Sequence, residues 1–367
     1  MKTGRLDFLI LLPSSLRSSA IPFWETNLPR ILVTGGCGFI GSNLVDRLLS
    51  RGECVVAFDN LSRRGAVKNA EWLRGKHGAK FELIRADIRD ARALADAAHD
   101  ADAIYHLAAQ VAVTTSVTDP RSDFEINALG TFNALEAARA SGRNPLFVFA
   151  STNKVYGGMD DVGVIEKETR YAYRDLRGGA SEAQPLDFHS PYGCSKGAAD
   201  QYVRDYQRIY GLRTVVFRQS AVYGYRQFGE EDQGWLAWFI IAAVLGKPIT
   251  IYGDGKQVRD MLFIDDLLDA YDAAAQRIER VAGQVYNLGG GPTNTISVWT
   301  EFGPMLEELH RRKIPVGRGD WRPGDQRVCV YDISKAKREL DWEPKVNVPT
   351  GVERLYRWVR ENQGLFE

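Results

Sequence analysis

Cysteine is scarce. The 367 residues hold four, Cys37, Cys54, Cys194 and Cys329, scattered with no C-x-x-C pair. Without paired spacings there is no disulfide framework to read and no thiolate metal cage, and free thiols in a reducing cytoplasm are expected. Histidine is nearly as sparse, at five residues. His77, His99 and His310 stand apart from cysteine or carboxylate partners, so no metal site is expected. Neither charge is in excess: Lys+Arg and Asp+Glu both number 47. That removes the bulk electrostatic pull toward nucleic acid or an anionic membrane. No apolar stretch is long enough to cross a bilayer, and no internal repeat is visible. What remains, 44% hydrophobic and 26% charged residues, is the composition of a soluble globular chain of about two domains.

Residues 1–29 stand outside the pattern that follows. Lys2 and Arg5 before Phe8-Leu9-Ile10-Leu11-Leu12 look faintly like a secretory leader, but the apolar core is short and lacks a small-residue cleavage site. A disordered extension or a mis-assigned start is the expectation.

From Arg30 onward, apolar strand-like runs alternate with amphipathic helical segments, which argues for a doubly wound parallel α/β sheet. Runs fall at Arg30–Thr34, Cys54–Phe58, Phe81–Arg85, Ala103–Ala108, Leu146–Ala150 and Thr214–Arg218. Between the first two lies Gly35-Gly36-Cys37-Gly38-Phe39-Ile40-Gly41, followed by a helical face of Ile40, Leu44, Val45, Leu48 and Leu49. A strand, a G-x-x-G-x-x-G turn and a helix make a phosphate-binding start: glycines let the backbone turn and approach a pyrophosphate, and the helix N-terminus holds its charge. Asp59, 24 residues after Gly35, ends the next strand, where a carboxylate accepts hydrogen bonds from an adenosine ribose.

A second constellation is Tyr192-Gly193-Cys194-Ser195-Lys196. Four residues apart on a helix, Tyr192 and Lys196 share a face. A phenol is a poor base near neutrality unless positive charge favours its phenolate, and an ammonium beside it and an oxidised nicotinamide both do so. Thr152, at the end of a strand in Ala150-Ser151-Thr152-Asn153-Lys154, can donate to the same reacting oxygen. His106 reads as a satisfied core histidine, and Trp235 and Trp238 as core at helical spacing. His189 is divided between loop packing and substrate contact. The polar segment Gly157–Ser190 reads as a loop over the site. Further on, a helix at Trp235–Leu245, short strands at Ile249–Tyr252, Met261–Ile264 and Gln284–Leu288, and helices near Ser297–Arg312 and Val352–Glu361 suit a smaller second domain.

Together these residues resemble the extended short-chain dehydrogenase/reductases, the nucleotide-sugar epimerases and dehydratases, from Arg30 to the C-terminus. The resemblance implies a Rossmann-type NAD domain over 30–224, with a return segment at about 259–291. A partly discontinuous nucleotide-sugar domain would occupy 225–258 and 292–367. Contacts to tightly bound NAD are implied at Gly35, Gly38, Phe39, Ile40, Gly41, Asp59, Asn60, Ser62, Arg63, Asp87, Ile88, Leu107, Ala108, Ala109, Gln110, Asn127, Ser151, Tyr192, Lys196 and Gln219. Asp59 repels a 2′-phosphate, which favours NAD over NADP. Catalysis is implied at Thr152, Tyr192 and Lys196. Substrate contacts are implied at Gln110, Thr152, Asn153, Ser220, Arg259 and Arg322, the arginines facing a diphosphate, which a guanidinium fork suits.

Two departures narrow the chemistry. The family's 4,6-dehydratases place Asp-Glu directly after the catalytic threonine, where this chain has Asn153-Lys154, and an amide cannot serve as the acid. Ala221 stands where many members have a sugar-touching Asn. The segments Phe58–Arg63, Ser151–Gly157, Glu168–Tyr171, Leu186–Tyr202 and Asp325–Val328 are similar to the CDP-sugar 2-epimerases of the family. Epimerisation at C2 is therefore the leading expectation. A UDP-sugar 4-epimerase or a dehydrogenase with exchanging cofactor remains open, and a non-catalytic nucleotide binder is disfavoured by the intact Thr152, Tyr192 and Lys196. The expected partner is a small nucleotide sugar. The family also pairs through helices corresponding to Phe124–Ala140 and Tyr192–Tyr210, implying a homodimer or tetramer.

Overall fold

The computed structural model describes residues 28–322 and 324–367; nearly all of the 1–29 extension lies outside them. Seven strands form the main sheet: β1 (Arg30–Thr34), β2 (Cys54–Phe58), β3 (Glu82–Ile84), β4 (Ala103–His106), β5 (Leu146–Thr152), β6 (Arg213–Gln219) and β7 (Gln284–Leu288). Their order is β7-β6-β5-β4-β1-β2-β3, with every pair parallel. The chain winds outward from β1 to β3, then returns to lay β4 on the other side of β1. That reversal opens a crevice between the carboxyl ends of β1 and β4, the place where such sheets bind ligands.

The alternation along each strand explains why the sheet is covered twice. Leu32, Val56, Phe58, Ile104, Phe147, Phe149 and Val216 share one core with the helices Ala91–Ala98, Gly130–Ala140 and Ser190–Tyr210. Their neighbours Ile31, Val33, Val55, Ala57, Tyr105, Val148, Val215 and Phe217 share the other with Phe39–Ser50, Ala66–His77 and Ile264–Gln276. The last of these helices was not anticipated. The sequence reading put a strand at Met261–Ile264, whereas the strand is Val258–Phe263 and the helix starts at Ile264.

Beyond β6 the chain changes sheet at once. Ala221–Tyr223 pairs in parallel with Met261–Phe263, and the strand Val258–Phe263 also pairs with Thr295–Ser297 and Val328–Cys329. The second, smaller sheet is thus hung directly from the end of β6. Trp235–Leu245 is apolar on all sides and mostly buried, with Trp235 and Phe239 packed edge-on against neighbouring aromatics.

The segment expected as a loop over the site is more ordered than that. Val164–Glu166 and Tyr171–Tyr173 form an antiparallel hairpin. Tyr171 is buried with Val258, Val328 and Val330, while Met159 and Ala180 are buried with Val155, Tyr156 and Tyr331. Apolar residues spaced through a polar segment gave too weak a periodic signal for this to be read locally. Among the described residues, no helix is long and apolar enough to cross a membrane.

Candidate active site

The glycine turn follows β1 directly, and Gly35 N–H donates to the Phe58 carbonyl at 2.8 Å, tying it to the end of β2. Gly35 has φ +68°, and a Cβ there would press on the Ala108 backbone nitrogen across the crevice. At Gly41 a Cβ would overlap the Gly35 carbonyl, so helix and turn pack together only through glycine. Asp59 closes the turn from below: its carboxylate accepts the Cys37 N–H at 2.9 Å and the Leu61 N–H at 2.8 Å. Burial raises its pKa, and these backbone donors pull the other way.

The resulting cavity of about 380 Å³ runs from the turn to the end of β5. It is lined by Gly35, Gly38, Phe39, Ile40, Gly41, Asp59, Asn60, Ser62, Arg63, Asp87, Ile88, Leu107, Ala108, Ala109, Gln110, Ser151, Tyr192, Lys196 and Gln219. Asp87 is held well below the usual carboxylate range by Arg89, which contacts it at 2.9 Å. Arg226, Gln227 and Phe228, from the loop after Gly224, line the cavity too and were not singled out from sequence.

Asn127 does not line the cavity but supports it. It lies in a π-helical turn, Glu125–Leu129, set into the helical stretch that ends at Ala140. Its amide bridges the Gln110 backbone, accepting from N–H and donating to C=O at 3.0 Å each. Beneath it sits Asp123, fully buried, whose carboxylate accepts from Ser195 Oγ at 2.5 Å, Gln110 Nε2 at 3.0 Å and Asn127 Nδ2 at 3.1 Å. Sequence reading missed Asp123. The available signal was its i, i+4 spacing to Asn127, which places both on one helical face.

At the end of β5, the register against β6 sets Thr152 opposite Gln219 and Ser151 opposite Arg218. The long helix Ser190–Tyr210 brings Tyr192 and Lys196 to the same end, both buried. Burial pushes the Tyr192 phenol up to about 12, with the Thr152 hydroxyl drawing it down and Asp123 adding to the rise. Burial takes Lys196 down to about 7, against the pull of Asp200 and Asp123. The Lys196 ammonium donates to the Ala150 carbonyl at 2.7 Å and stands 4.1 Å above the Phe149 ring. The lysine is thereby fixed at the cavity wall, one helical turn from Tyr192, and further positive charge brought into the cavity would favour the phenolate.

The cavity suits a dinucleotide by its own atoms. Two lining residues carry buried acceptors without a partner among the described residues, Asn69 Oδ1 and Gln227 Oε1. An ammonium has three donors, and one hydrogen bond of Lys196 is to protein. The bare glycine turn leaves backbone room for phosphate at a helix N-terminus.

Of the expected substrate residues, Gln110 lines the cavity, Thr152 and Asn153 stand at the end of β5, and Ser220, Arg259 and Arg322 come from the second half of the chain. Asn153 Nδ2 donates to Gln326 Oε1 at 3.2 Å and contacts Cys329 Sγ at 3.1 Å. Ser220 donates to Asp260, whose buried carboxyl is pushed up to about 7. Arg259 pairs with Asp325 at 2.6 Å, while Arg322 pairs with Asp232 at 3.0 Å and covers the Tyr252 ring at 4.0 Å. His106 is a core residue bridging Thr34 and Thr131, at 2.8 and 3.0 Å. His189 pairs with Asp187 at 2.8 Å.

Comparison with known proteins agrees with this geometry. Residues 32–355 match the family model described as GDP-mannose 4,6 dehydratase. The chain is 46% identical over 336 residues to the CDP-paratose 2-epimerase of Salmonella typhi, covering 90% of this chain and 98% of that one. It is 34% identical over 338 residues to the UDP-glucose 4-epimerase of Mycolicibacterium smegmatis, covering 90% and 98%. The solved structure of Thermus thermophilus UDP-glucose 4-epimerase in complex with NAD superposes with a TM-score of 0.76 at 32% identity, covering 91% and 99%.

Proposed function

The chain belongs to the nucleotide-sugar epimerases and dehydratases of the extended short-chain dehydrogenase/reductase family, and on that footing we propose that it inverts C2 of a CDP-linked sugar of the CDP-paratose type. The sugar passes through a 2-keto form, turns in the pocket and is reduced on its other face. The observation that carries this reading is the hydrogen bond of Thr152 to Tyr192, which lines one end of the cavity with Lys196, next to Asn153, an amide engaged with Gln326 and Cys329. The site has the parts for proton and hydride exchange, and at Asn153 it has no acid for removing water.

NAD, when bound, supplies the hydride acceptor, and in its reduced form the donor. The glycine turn and the start of the helix Phe39–Ser50 would hold its pyrophosphate, and Asp59 the adenosine ribose, the carboxylate disfavouring a 2′-phosphate. Lys196 would hold the nicotinamide-side ribose with its remaining donors. Tyr192 takes the proton of the C2 hydroxyl and returns it after the sugar has turned. Thr152 donates to the same oxygen as negative charge develops on it. Arg259 and Arg322 would meet the diphosphate by exchanging part of their present carboxylate contacts.

The test is proton NMR of CDP-paratose incubated with the purified protein in heavy water without added NAD. The reading expects the 2-epimer with hydrogen retained at C2. Deuterium at C2 would mean enolisation and overturn the mechanism. No conversion of CDP-paratose alongside turnover of another nucleotide sugar would overturn the substrate.

A further inference from the structure

Lys154 follows Asn153 at the end of β5, where its backbone N–H donates to Thr152 Oγ1 at 3.3 Å. Its side chain leaves the catalytic strand and reaches the loop around Gly324. Two ion pairs from the second half of the chain are relevant there. Arg259 is paired with Asp325 and Arg322 with Asp232. Lys154 differs from both: among the described residues no carboxylate lies within ion-pairing distance of its ammonium, whose contact is a long one, 3.4 Å to the Gly324 carbonyl. Burial, followed by repulsion from Arg259, lowers its pKa, while Asp325 opposes the fall. Lys154 and Arg259 thus stand near a single carboxylate, Asp325, which leaves one positive charge in excess at a half-buried place. Such a charge is costly until an anion arrives.

We propose that Lys154 binds the diphosphate of the nucleotide sugar at its sugar-side phosphate. The inference rests on the reading that the substrate is a nucleoside diphosphate sugar. The assignment to one phosphate follows from placement. Lys154 is anchored two residues from Thr152, which faces the reacting sugar oxygen, whereas the paired arginines come from the second half of the molecule. A neutral sugar hydroxyl would leave the excess charge uncompensated; a phosphate oxygen removes it. Lys154 is therefore a substrate-binding residue that ties sugar and diphosphate to the same strand end.

The test is calorimetric binding of CDP, UDP, dTDP and GDP, and of the matching monophosphates, to the wild type, Lys154→Met and Lys154→Arg, with thermal unfolding as a check on folding. A monophosphate lacks the sugar-side phosphate. In Lys154→Met, the best-bound diphosphate is expected to weaken about tenfold while its monophosphate stays within about twofold, and Lys154→Arg should recover most of the loss. Equal weakening of both, or of neither, would overturn the assignment. If Lys154→Met does not fold, Lys154→Gln serves the same comparison. Binding of UDP or dTDP in place of CDP would remove the cytidine reading while testing Lys154 equally well. Failure of every diphosphate to bind the wild type would remove both.

Discussion

Asp200 holds one edge of the Arg218 guanidinium in the protein interior with both oxygens, at 3.0 Å to Nε and 2.9 Å to Nη2, and the same carboxylate accepts the Ser151 hydroxyl at 2.7 Å. Arg218 Nη1 continues to the Tyr156 hydroxyl at 3.0 Å, which donates to Asn287 Oδ1 at 2.7 Å. One turn before Asp200 on the same helix stands Lys196. A buried network thus runs behind the ends of β5, β6 and β7; burial takes the Lys196 pKa down, and Asp200 from this network opposes the fall.

Asp200→Asn would leave a guanidinium buried without its counter-charge. The expected cost is about 3–5 kcal/mol, because removing one partner of a buried pair exposes the desolvation of the other. Urea unfolding followed by circular dichroism measures it. A loss under about 1 kcal/mol would mean that the pair is not needed for stability.

The hydroxyl of Thr152 lowers the Tyr192 pKa, so its removal acts in a known direction. Thr152→Val should reduce kcat by about 10²–10³ and move the ascending limb of the pH–rate profile to higher pH. Thr152→Ser should keep the limb in place. Tyr192→Phe should lose nearly all turnover with the fold intact. An unmoved limb in Thr152→Val would show that the hydroxyl does not act on the phenol.

His106 provides a pH test of stability. Burial lowers its pKa to about 3, and repulsion from Lys196 adds to this, against an ordinary value of 6.5. The folded form therefore binds its proton less readily than the unfolded form. The neutral ring's contribution is fully present above pH 6.5 and is lost as pH falls from there toward 3, at about 1.4 kcal/mol per pH unit at most. His106→Gln, which can still meet Thr34 or Thr131, should flatten that slope in urea unfolding between pH 6 and pH 4. An unchanged slope would assign the acid sensitivity to carboxylates elsewhere.

The helical faces expected to pair two chains carry exposed apolar side chains. Phe132 and Tyr202 meet edge to face at 6.0 Å, with Phe124, Leu129, Ile209 and Tyr210 also exposed. Apolar groups gathered on adjacent helices favour burial against a second copy. The wild type is expected to elute as a dimer or tetramer in chromatography with light scattering, and the double variant Phe132→Glu, Ile209→Glu as a smaller species with little change in unfolding of the single chain. A monomeric wild type would remove the expectation.

What could be read from the sequence was local. A glycine turn is required wherever backbone must pass as close as Gly35 does to Ala108, and an i, i+4 pair shares a helical face whatever surrounds it. The strand–turn–helix start, the strand-end Asp59 and the Tyr192/Lys196 pair were legible for that reason, and strand alternation sufficed for a sheet covered on both faces. Tertiary structure decided what depends on distant partners. It set Thr152 opposite Gln219, brought Gln326 and Cys329 to Asn153, and placed Asp123 beneath Gln110. It also set desolvation, a property of everything packed around a group: burial pushes the Tyr192 phenol up to about 12, while Lys196 faces the Ala150 carbonyl. No spacing along a chain records how much water a side chain has lost.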